Sequence, residues 1–460
     1  MYFKIILTLF FIFLFRPLFS YNIEIQIDNY PSDRIYIHCY YGNTSKFIDS
    51  INSTSQKFIF TRSELNEGLY FITSFEDKII AEFVISSAEP TFSMQFDYKK
   101  LQKMVVVKDS DENIILQYYH TQMTNNFNLI NDINNLLENY PKNSKDYNFL
   151  LESKDKIENQ SIQYQQDISN ANPNSLVALL IRTAQEPVVN IDVVDEKTRK
   201  EFFSKYSSEY LKDFNFDDKR LLYINNFIPR LDLFLDKLIP QNEDTIIQNI
   251  KNILNLSSNN PELNSYLKGY FIEKYYFSKL LIGESIFVNL VDTILNNNPD
   301  ILPDKRQKYI EEAENLKPLL IGKIAPDIQN LIDKDANKVN LYNLATQFTV
   351  LYFFRPDCSS CKQSLDPMNR ILKKYEKNGL SIIAICNKYK DQINECWDYS
   401  KINHLDNWKI LGDPFFVSKY EKLYHVTKTP LIYLLDSNKK ILLKDISAEQ
   451  LEELIEQYIK

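Results

Sequence analysis

The chain has 460 residues, of which 44% are hydrophobic and 25% are charged, so it can fold into about three domains and does not have the composition of a disordered protein. Its formal net charge of -8 and the lack of a basic patch argue against a nucleic-acid partner, because binding to a phosphate backbone needs a positively charged face.

The N-terminal segment predicts export. Lys4 precedes an apolar run over residues 5–15, a pattern typical of a signal peptide spanning residues 1–20 with cleavage after Ser20. The run is short for a membrane span, so a retained anchor is the weaker alternative, and no other stretch reaches roughly 18 apolar residues. We therefore expect a protein of the periplasm or cell envelope with no stable membrane span after signal removal, in a compartment that permits disulfides.

The next segment, residues 21–107, has the pattern of short half-buried strands. Ile23, Ile25 and Ile27 alternate with polar residues, which is the period of a strand with one face in a core. Similar runs, separated by Asn, Ser and Gly turns, occur at 34–41, 57–60, 68–73, 81–85 and 91–96. These runs predict an antiparallel, sandwich-like β-domain.

Residues 108–318 have a helical period instead. Apolar side chains recur at steps of three and four residues, and proline-containing joints divide the region into several helices. The clearest such sets are Ile246, Ile250, Ile253 and Leu254, and Leu263, Leu267, Phe271 and Tyr275. We predict an α-helical domain whose aromatic stripes pack in its core, with a peptide-binding groove as the less favoured alternative.

The last segment, residues 319–460, alternates strands with helices. Apolar strands are predicted at 349–354, 381–386, 431–435 and 440–443, with helices at 365–375 and 388–399. Ser447 and Gln450 form a capping box ahead of a C-terminal amphipathic helix. This order indicates an α/β sandwich.

Two cysteines, Cys358 and Cys361, lie where the first of these strands leads into a helix. A cysteine at a helix N-terminus has backbone N–H groups beside it, which favour the thiolate over the thiol. Cys358 is therefore the candidate nucleophile, and Cys361, one turn later, is the candidate resolving thiol. Ser359 and Ser360 between them are small and leave the sulfur accessible to a substrate.

The charges around this pair have opposing effects. Arg355 and Lys362 favour a thiolate, whereas Asp357 opposes it. The sequence alone leaves open which effect is larger.

A second signal is Thr429-Pro430, at the start of a predicted strand. Together with the strand, CxxC and helix upstream, it resembles the cis-proline loop of the thioredoxin fold. That resemblance implies that the loop lies against the active-site cysteines and that the backbone of Thr429 pairs with an extended substrate segment.

The segment from residue 321 onward resembles TlpA/ResA-like thiol-disulfide oxidoreductases of the thioredoxin superfamily. The motifs that carry the resemblance are GKIAPD, VLYFFRPDCSSC, LSIIAIC and LYHVTKTPLIYLLDSNKKI. The first two domains resemble those that precede such modules in exported Bacteroidetes proteins, with YYGNTSKFIDS and FDDKRLLYINNFIPRLDLFLDKL as the main stretches. The resemblance implies a thioredoxin-like C-terminal domain, a redox disulfide between Cys358 and Cys361, disulfide or dithiol protein substrates and a membrane thiol electron donor, with no cofactor.

The chain departs from the family pattern near the cysteines. Tyr352 stands where thioredoxins carry a buried Asp, and Ser364 lies near the place where many relatives carry a Glu. The helix proline, Pro367, comes one residue later than the family pattern, and Asp357 replaces an aromatic residue. The usual proton acceptor for Cys361 is therefore missing.

The other cysteines have structural interpretations. We expect Cys386 and Cys396 to be packing thiols, with an accessory disulfide or relay as the alternative, and Cys39 to be structural beside His38. A zinc site is disfavoured because no second CxxC or His cluster supplies four ligands, and His404 and His425 are isolated. No metal is predicted.

The sequence thus predicts an exported protein-disulfide reductase. The alternatives are a non-catalytic envelope scaffold whose thioredoxin fold is vestigial, and a peroxiredoxin-like peroxide reductase. Insulin reduction in the presence of dithiothreitol separates the enzyme from the scaffold. Whether the protein reduces or oxidises its substrate depends on the redox potential of its cysteine pair and on its partner, because oxidation is the reverse of the same exchange.

Overall fold

The computed structural model describes residues 20–101, 105–189, 191, 193–295 and 301–459. The predicted signal peptide lies outside these ranges except for Ser20. Within them, no helix is both long and apolar enough to cross a membrane. The chain divides into two compact units, one running to Ile239 together with Leu256–Leu263, the other comprising Pro240–Asn255 and the chain from Asn264. Helices of the region 108–318 occur in both units, and the three domain boundaries given above stay a prediction.

The first unit contains the predicted N-terminal β-structure as two four-stranded sheets. One has the order β4-β1-β7-β8 and the other β3-β2-β5-β6. The strands are β1 (Tyr21–Asp28), β2 (Arg34–Tyr41), β3 (Thr44–Asn52), β4 (Lys57–Arg62), β5 (Gly68–Thr73), β6 (Ile79–Ile85), β7 (Thr91–Asp97) and β8 (Val106–Lys108).

Burial in β1 follows the sequence alternation. Ile23, Ile25 and Ile27 are fully buried, because successive side chains of a strand point to opposite faces. Most pairs are antiparallel as predicted, but β1 pairs with β7 in parallel. The sequence pattern missed β3 because most of its side chains are exposed and show no alternation.

The helical region is confirmed, and both apolar faces predicted for it are buried. Its helices are α1 (Asp111–Leu137), α2 (Lys145–Ala171), α3 (Leu176–Ala184), α4 (Glu196–Glu209), α5 (Phe227–Leu233), α6 (Glu243–Leu256), α7 (Pro261–Tyr276), α8 (Gly283–Ile294) and α9 (Pro303–Leu316).

The second unit contains a seven-stranded sheet of order β10-β9-β13-β12-β11-β14-β15. The strands are β9 (Leu331–Ile332), β10 (Lys338–Val339), β11 (Phe348–Phe354), β12 (Leu380–Cys386), β13 (Lys409–Gly412), β14 (Leu431–Leu435) and β15 (Ile441–Lys444). The helices are α10 (Ser359–Gln363), α11 (Leu365–Tyr375), α12 (Ile393–Ile402), α13 (Tyr420–Leu423) and α14 (Ala448–Leu454). This is the predicted thioredoxin-like α/β fold, and the capping box of Ser447 and Gln450 at α14 is also confirmed.

Strand direction gathers the predicted site at one edge of this sheet. β11 and β12 are parallel, so Phe354 and Cys386, the last residues of both strands, are register partners. β14 runs antiparallel to β11, and its first residue, Leu431, pairs with Phe353. The segments after Phe354 and after Cys386 therefore lie at the same edge as the segment that precedes Leu431.

The helix predicted at 388–399 begins later, at Ile393. Lys390 has φ of 48°, a left-handed conformation that a continuous α-helix does not tolerate. The side chain of Lys388 is buried in ion pairs, so the start of this segment is a loop fixed by side-chain contacts.

Candidate active site

Cys358 ends the turn after β11 and caps helix α10. Its backbone is extended, and its sulfur accepts a hydrogen bond from the backbone N–H of Cys361 at 3.2 Å. Cys358 is partly exposed, whereas Cys361 is fully buried in the core beneath it. The structure therefore has an accessible thiol at the predicted nucleophile and a shielded one at the predicted resolving position, both in the reduced form.

The two thiols differ in their electrostatic surroundings. Partial burial, the largest single effect, raises the pKa of Cys358. The hydrogen bonds to its sulfur, first those from the thiol and backbone N–H of Cys361, together outweigh burial, so the pKa is lowered overall. Burial is also the main effect at Cys361, where, together with the neighbouring Cys358 thiol, it raises the pKa to about 12. Cys358 is thus the sulfur that forms a thiolate more readily.

The Thr429–Pro430 peptide bond is cis, as its pattern predicted. The thiol of Cys358 donates to the carbonyl oxygen of Thr429 at 3.4 Å. Thr429 and Pro430 are half-buried, and Ser359 and Ser360 are exposed. Ser359 and Ser360 follow Cys358 directly, and Thr429, which contacts its sulfur, precedes Pro430; the role of all four in substrate binding stays a prediction.

Tyr352 and Ser364, the two residues that replace the family's carboxylates, contact each other. The Tyr352 hydroxyl lies 2.7 Å from the Ser364 hydroxyl, and both donate to the carbonyl oxygen of Cys361, at 3.1 and 2.8 Å. Tyr352 is 1% exposed, and its burial, together with the Cys361 thiol, raises its pKa far above the ordinary tyrosine range. The pair is a neutral network that fixes the backbone of the buried cysteine, since neither hydroxyl ionises near neutral pH.

The structure also resolves part of the charge balance. Arg355 donates two hydrogen bonds to the Asp357 carboxylate, at 3.1 and 2.8 Å. These bonds are the main reason why the pKa of Asp357 is lowered. The carboxylate beside Cys358 is therefore charged and paired, which weakens its opposition to a thiolate.

The remaining cysteines divide into a pair and a single thiol. Cys386 and Cys396 form a disulfide, which corrects the expectation of two packing thiols. Cys386 ends β12 and Cys396 lies in α12, so their pairing depends on the path of the loop between these two elements. The hydrophobic periodicity of the sequence does not predict that path. Cys39 is a buried free thiol in β2, and burial raises its pKa to about 12.

Metal ligands are not gathered within the ranges that the structure describes. No three His, Cys, Asp or Glu side chains there are close enough to hold an ion. His425 is engaged instead with Glu312, 3.0 Å away.

Comparison with known proteins finds a family match within the second unit. The AhpC/TSA family model matches residues 321–443. The thiol-disulfide oxidoreductase ResA of Bacillus cereus is 27% identical over 157 residues, which is 34% of this chain and 83% of that protein. ResA of Bacillus anthracis is 28% identical over the same shares.

Similar solved structures come from Bacteroides species. A thioredoxin-like protein from Bacteroides caccae is 17% identical, covers 60% of this chain and 98% of its own, and has a TM-score of 0.47. The C-terminal domain of a putative thiol-disulfide oxidoreductase from Bacteroides thetaiotaomicron is 30% identical, covers 30% of this chain and 94% of its own, and has a TM-score of 0.27.

Proposed function

We propose, from the premise that the C-terminal module is a TlpA/ResA-like member of the thioredoxin superfamily, that the protein is an exported oxidoreductase that reduces disulfides of cell-envelope proteins. The asymmetry between the two thiols carries the proposal. Cys358 is accessible with a lowered pKa, and Cys361, one turn away, is buried with a raised one. Disulfide exchange needs one thiol that is accessible as a thiolate to attack the substrate and a second thiol nearby to break the resulting mixed disulfide.

In the first step the Cys358 thiolate attacks one sulfur of a substrate disulfide. A bond forms between Cys358 and that sulfur, the substrate S–S bond breaks, and the other substrate sulfur leaves as a thiolate. The carbonyl of Thr429 lies beside the attacking sulfur, where an extended substrate segment can pair with the loop backbone.

In the second step Cys361 gives up its proton to the substrate thiolate released in the first step and attacks the Cys358 sulfur of the mixed disulfide. The Cys358–Cys361 disulfide forms, the second substrate sulfur leaves as a thiolate, and two electrons have passed from the dithiol to the substrate. A new cycle requires a thiol reductant, and a membrane thiol electron donor is the class that fits an exported protein. Oxidation of a dithiol substrate is the same sequence in reverse.

Trapping with Cys361→Ser tests the assigned roles. The variant keeps the attacking thiol but lacks the resolving one, so we expect it to accumulate mixed disulfides through Cys358 when it is exposed to envelope proteins. Mass spectrometry of the trapped species identifies the partners and the linked cysteine. Cys358→Ser and the double variant are the controls, and neither should trap.

Activity is tested by insulin reduction with dithiothreitol. Wild type should accelerate precipitation of the insulin B chain, and both single serine variants should not. Hydrogen peroxide is offered in a parallel assay. Trapping through Cys361 in Cys358→Ser, or peroxide consumption without insulin reduction, would show that the proposed reaction is wrong.

A further inference from the structure

A buried lysine lies behind the active-site turn. Lys388 follows the end of β12 by two residues, and its side chain is 9% exposed. Asn387 donates its backbone N–H to the carbonyl of Phe354 at 2.8 Å, so this loop runs beside the turn that carries Cys358. A lysine this buried keeps its charge only when carboxylates surround it.

Two carboxylates supply that environment. The ammonium of Lys388 lies 2.8 Å from Glu395 and 3.5 Å from Asp357. Glu395 is the main reason why the pKa of Lys388 is raised. The lysine is therefore a fixed positive charge that links the loop after β12 to the residue immediately before Cys358.

The disulfide holds both ends of this loop. Cys386 lies two residues before Lys388, and Cys396 follows Glu395 directly. Closing the Cys386–Cys396 bond brings together the two chain segments that carry Lys388 and Glu395. The disulfide thus helps to hold Lys388 close to Glu395.

We propose that Lys388 is a positioning residue for the attacking thiol and acts by holding and neutralising Asp357 beside Cys358. The inference rests on the proposed exchange reaction, in which Cys358 attacks as a thiolate. Arg355 donates to both oxygens of Asp357 and Lys388 lies 3.5 Å from Oδ2, so the carboxylate next to the nucleophile is neutralised by two cations and kept in a single orientation.

Other groups also act on the Cys358 sulfur. The titratable and charged residues around it and around its charge network include Cys361, Arg355, Asp357, Lys388, Tyr389, Glu395 and Tyr399. Asp357 is the negative charge closest to Cys358 in sequence. Loss of a cation that neutralises it should therefore disfavour the Cys358 thiolate, whichever of the other groups are charged.

The test is the pH profile of Cys358 alkylation by iodoacetamide in the reduced full-length chain. We expect Lys388→Met to slow the reaction at pH 7 by roughly three- to tenfold and to move the profile to higher pH, because Asp357 loses one of its two cations. Lys388→Arg restores the charge and should stay within about twofold of wild type. Lys388→Gln is the substitute if the methionine variant does not fold.

A matched control separates positioning from stability. Lys444 is also buried, with a side chain 6% exposed, and is ion-paired with Glu284. Lys444→Met should lose stability as Lys388→Met does, since each substitution removes a buried ammonium from its glutamate partner, Glu284 or Glu395. Its Cys358 profile should match wild type, because Lys444 does not contact the active-site turn.

A double-mutant cycle tests the route through Asp357. In an Asp357→Asn background, Lys388→Met should change the alkylation rate by less than about twofold, since the charge that Lys388 neutralises is gone. An undiminished effect in that background, or a wild-type profile for Lys388→Met alone, would overturn the proposal. Alkylation needs no protein substrate, so wild type that fails to reduce insulin would refute the proposed function and leave this test valid.

Discussion

Tyr352→Phe isolates the hydroxyl that replaces the family's buried acid. The aromatic ring stays in place, stacked on Phe354 at 5.6 Å between ring centroids and edge-on to Trp408 at 5.7 Å. The Tyr352 hydroxyl has one proton and Ser364 donates its own to the Cys361 carbonyl, so the substitution removes one hydrogen bond, donated to that carbonyl or to the Ser364 hydroxyl. Ser364 still donates to that carbonyl at 2.8 Å, so no buried acceptor is left without a partner.

The expected cost follows from that count. A buried neutral hydrogen bond contributes about 0.5–1.5 kcal/mol net, so Tyr352→Phe should lower the free energy of unfolding of the C-terminal module by about that amount. The rate of disulfide exchange should change by less than about twofold. Burial keeps the Tyr352 hydroxyl protonated at neutral pH, so it cannot serve as the proton acceptor for Cys361.

Urea unfolding followed by tryptophan fluorescence measures the stability. The chain has two tryptophans, Trp397 and Trp408, and both belong to the C-terminal module, so the signal reports on that module within the intact protein. Tyr433→Phe is the matched control, because Tyr433 is equally buried and its hydroxyl donates to the carbonyl of Tyr424 at 3.1 Å. A tenfold or larger fall in insulin reduction by Tyr352→Phe, with Tyr433→Phe unaffected, would show that the hydroxyl takes part in proton transfer and would refute the reasoning.

Three further predictions concern the cysteines. In the reduced protein at pH 7, a short pulse of iodoacetamide should label Cys358 before Cys361, because the pKa of Cys358 is lowered and that of Cys361 is raised to about 12; peptide mapping that finds Cys361 first would contradict this order. The raised pKa of Cys361 contributes stability that is present below the ordinary value of 9.0 and is lost as pH rises toward about 12, so the reduced protein should lose stability relative to the oxidised protein over that range in urea titrations. The double variant Cys386→Ser and Cys396→Ser should lower the free energy of unfolding by about 3 kcal/mol, the chain-entropy value for a loop of this length, and an unchanged urea midpoint would argue that the disulfide constrains nothing.

The sequence predicts best those elements whose residues share one environment along their whole length. β11 and β12 are buried on both faces, so their continuous apolar runs identify them directly. β13, at Lys409–Gly412, is four residues long and has no run or alternation that would distinguish it from a loop. Its place in the sheet comes from pairing with β12, a contact that only the folded chain provides.

The candidate site shows the same division. Cys358 and Cys361 are predicted from a local strand, turn and helix pattern, and Pro430 from the resemblance of its loop to the cis-proline loop of the thioredoxin fold. Strand direction brings all three to the same edge of the sheet. The local pattern predicts a helix at Lys388. The contacts that place it in a loop are not local, because they involve Asp357, 31 positions earlier in the chain, and a disulfide that closes around it.

The two residues interpreted as missing acids have a joint explanation. Tyr352 and Ser364 together occupy the space beneath Cys361 and satisfy its carbonyl, so the buried site is neutral and needs no compensating charge. A neutral network accepts no proton from Cys361. The thiolate that the substrate releases in the first step is the base that the reaction itself provides, and it needs a proton at the moment when Cys361 must lose one. We therefore expect resolution to depend on the basicity of the leaving thiol more than on any side chain around Cys361.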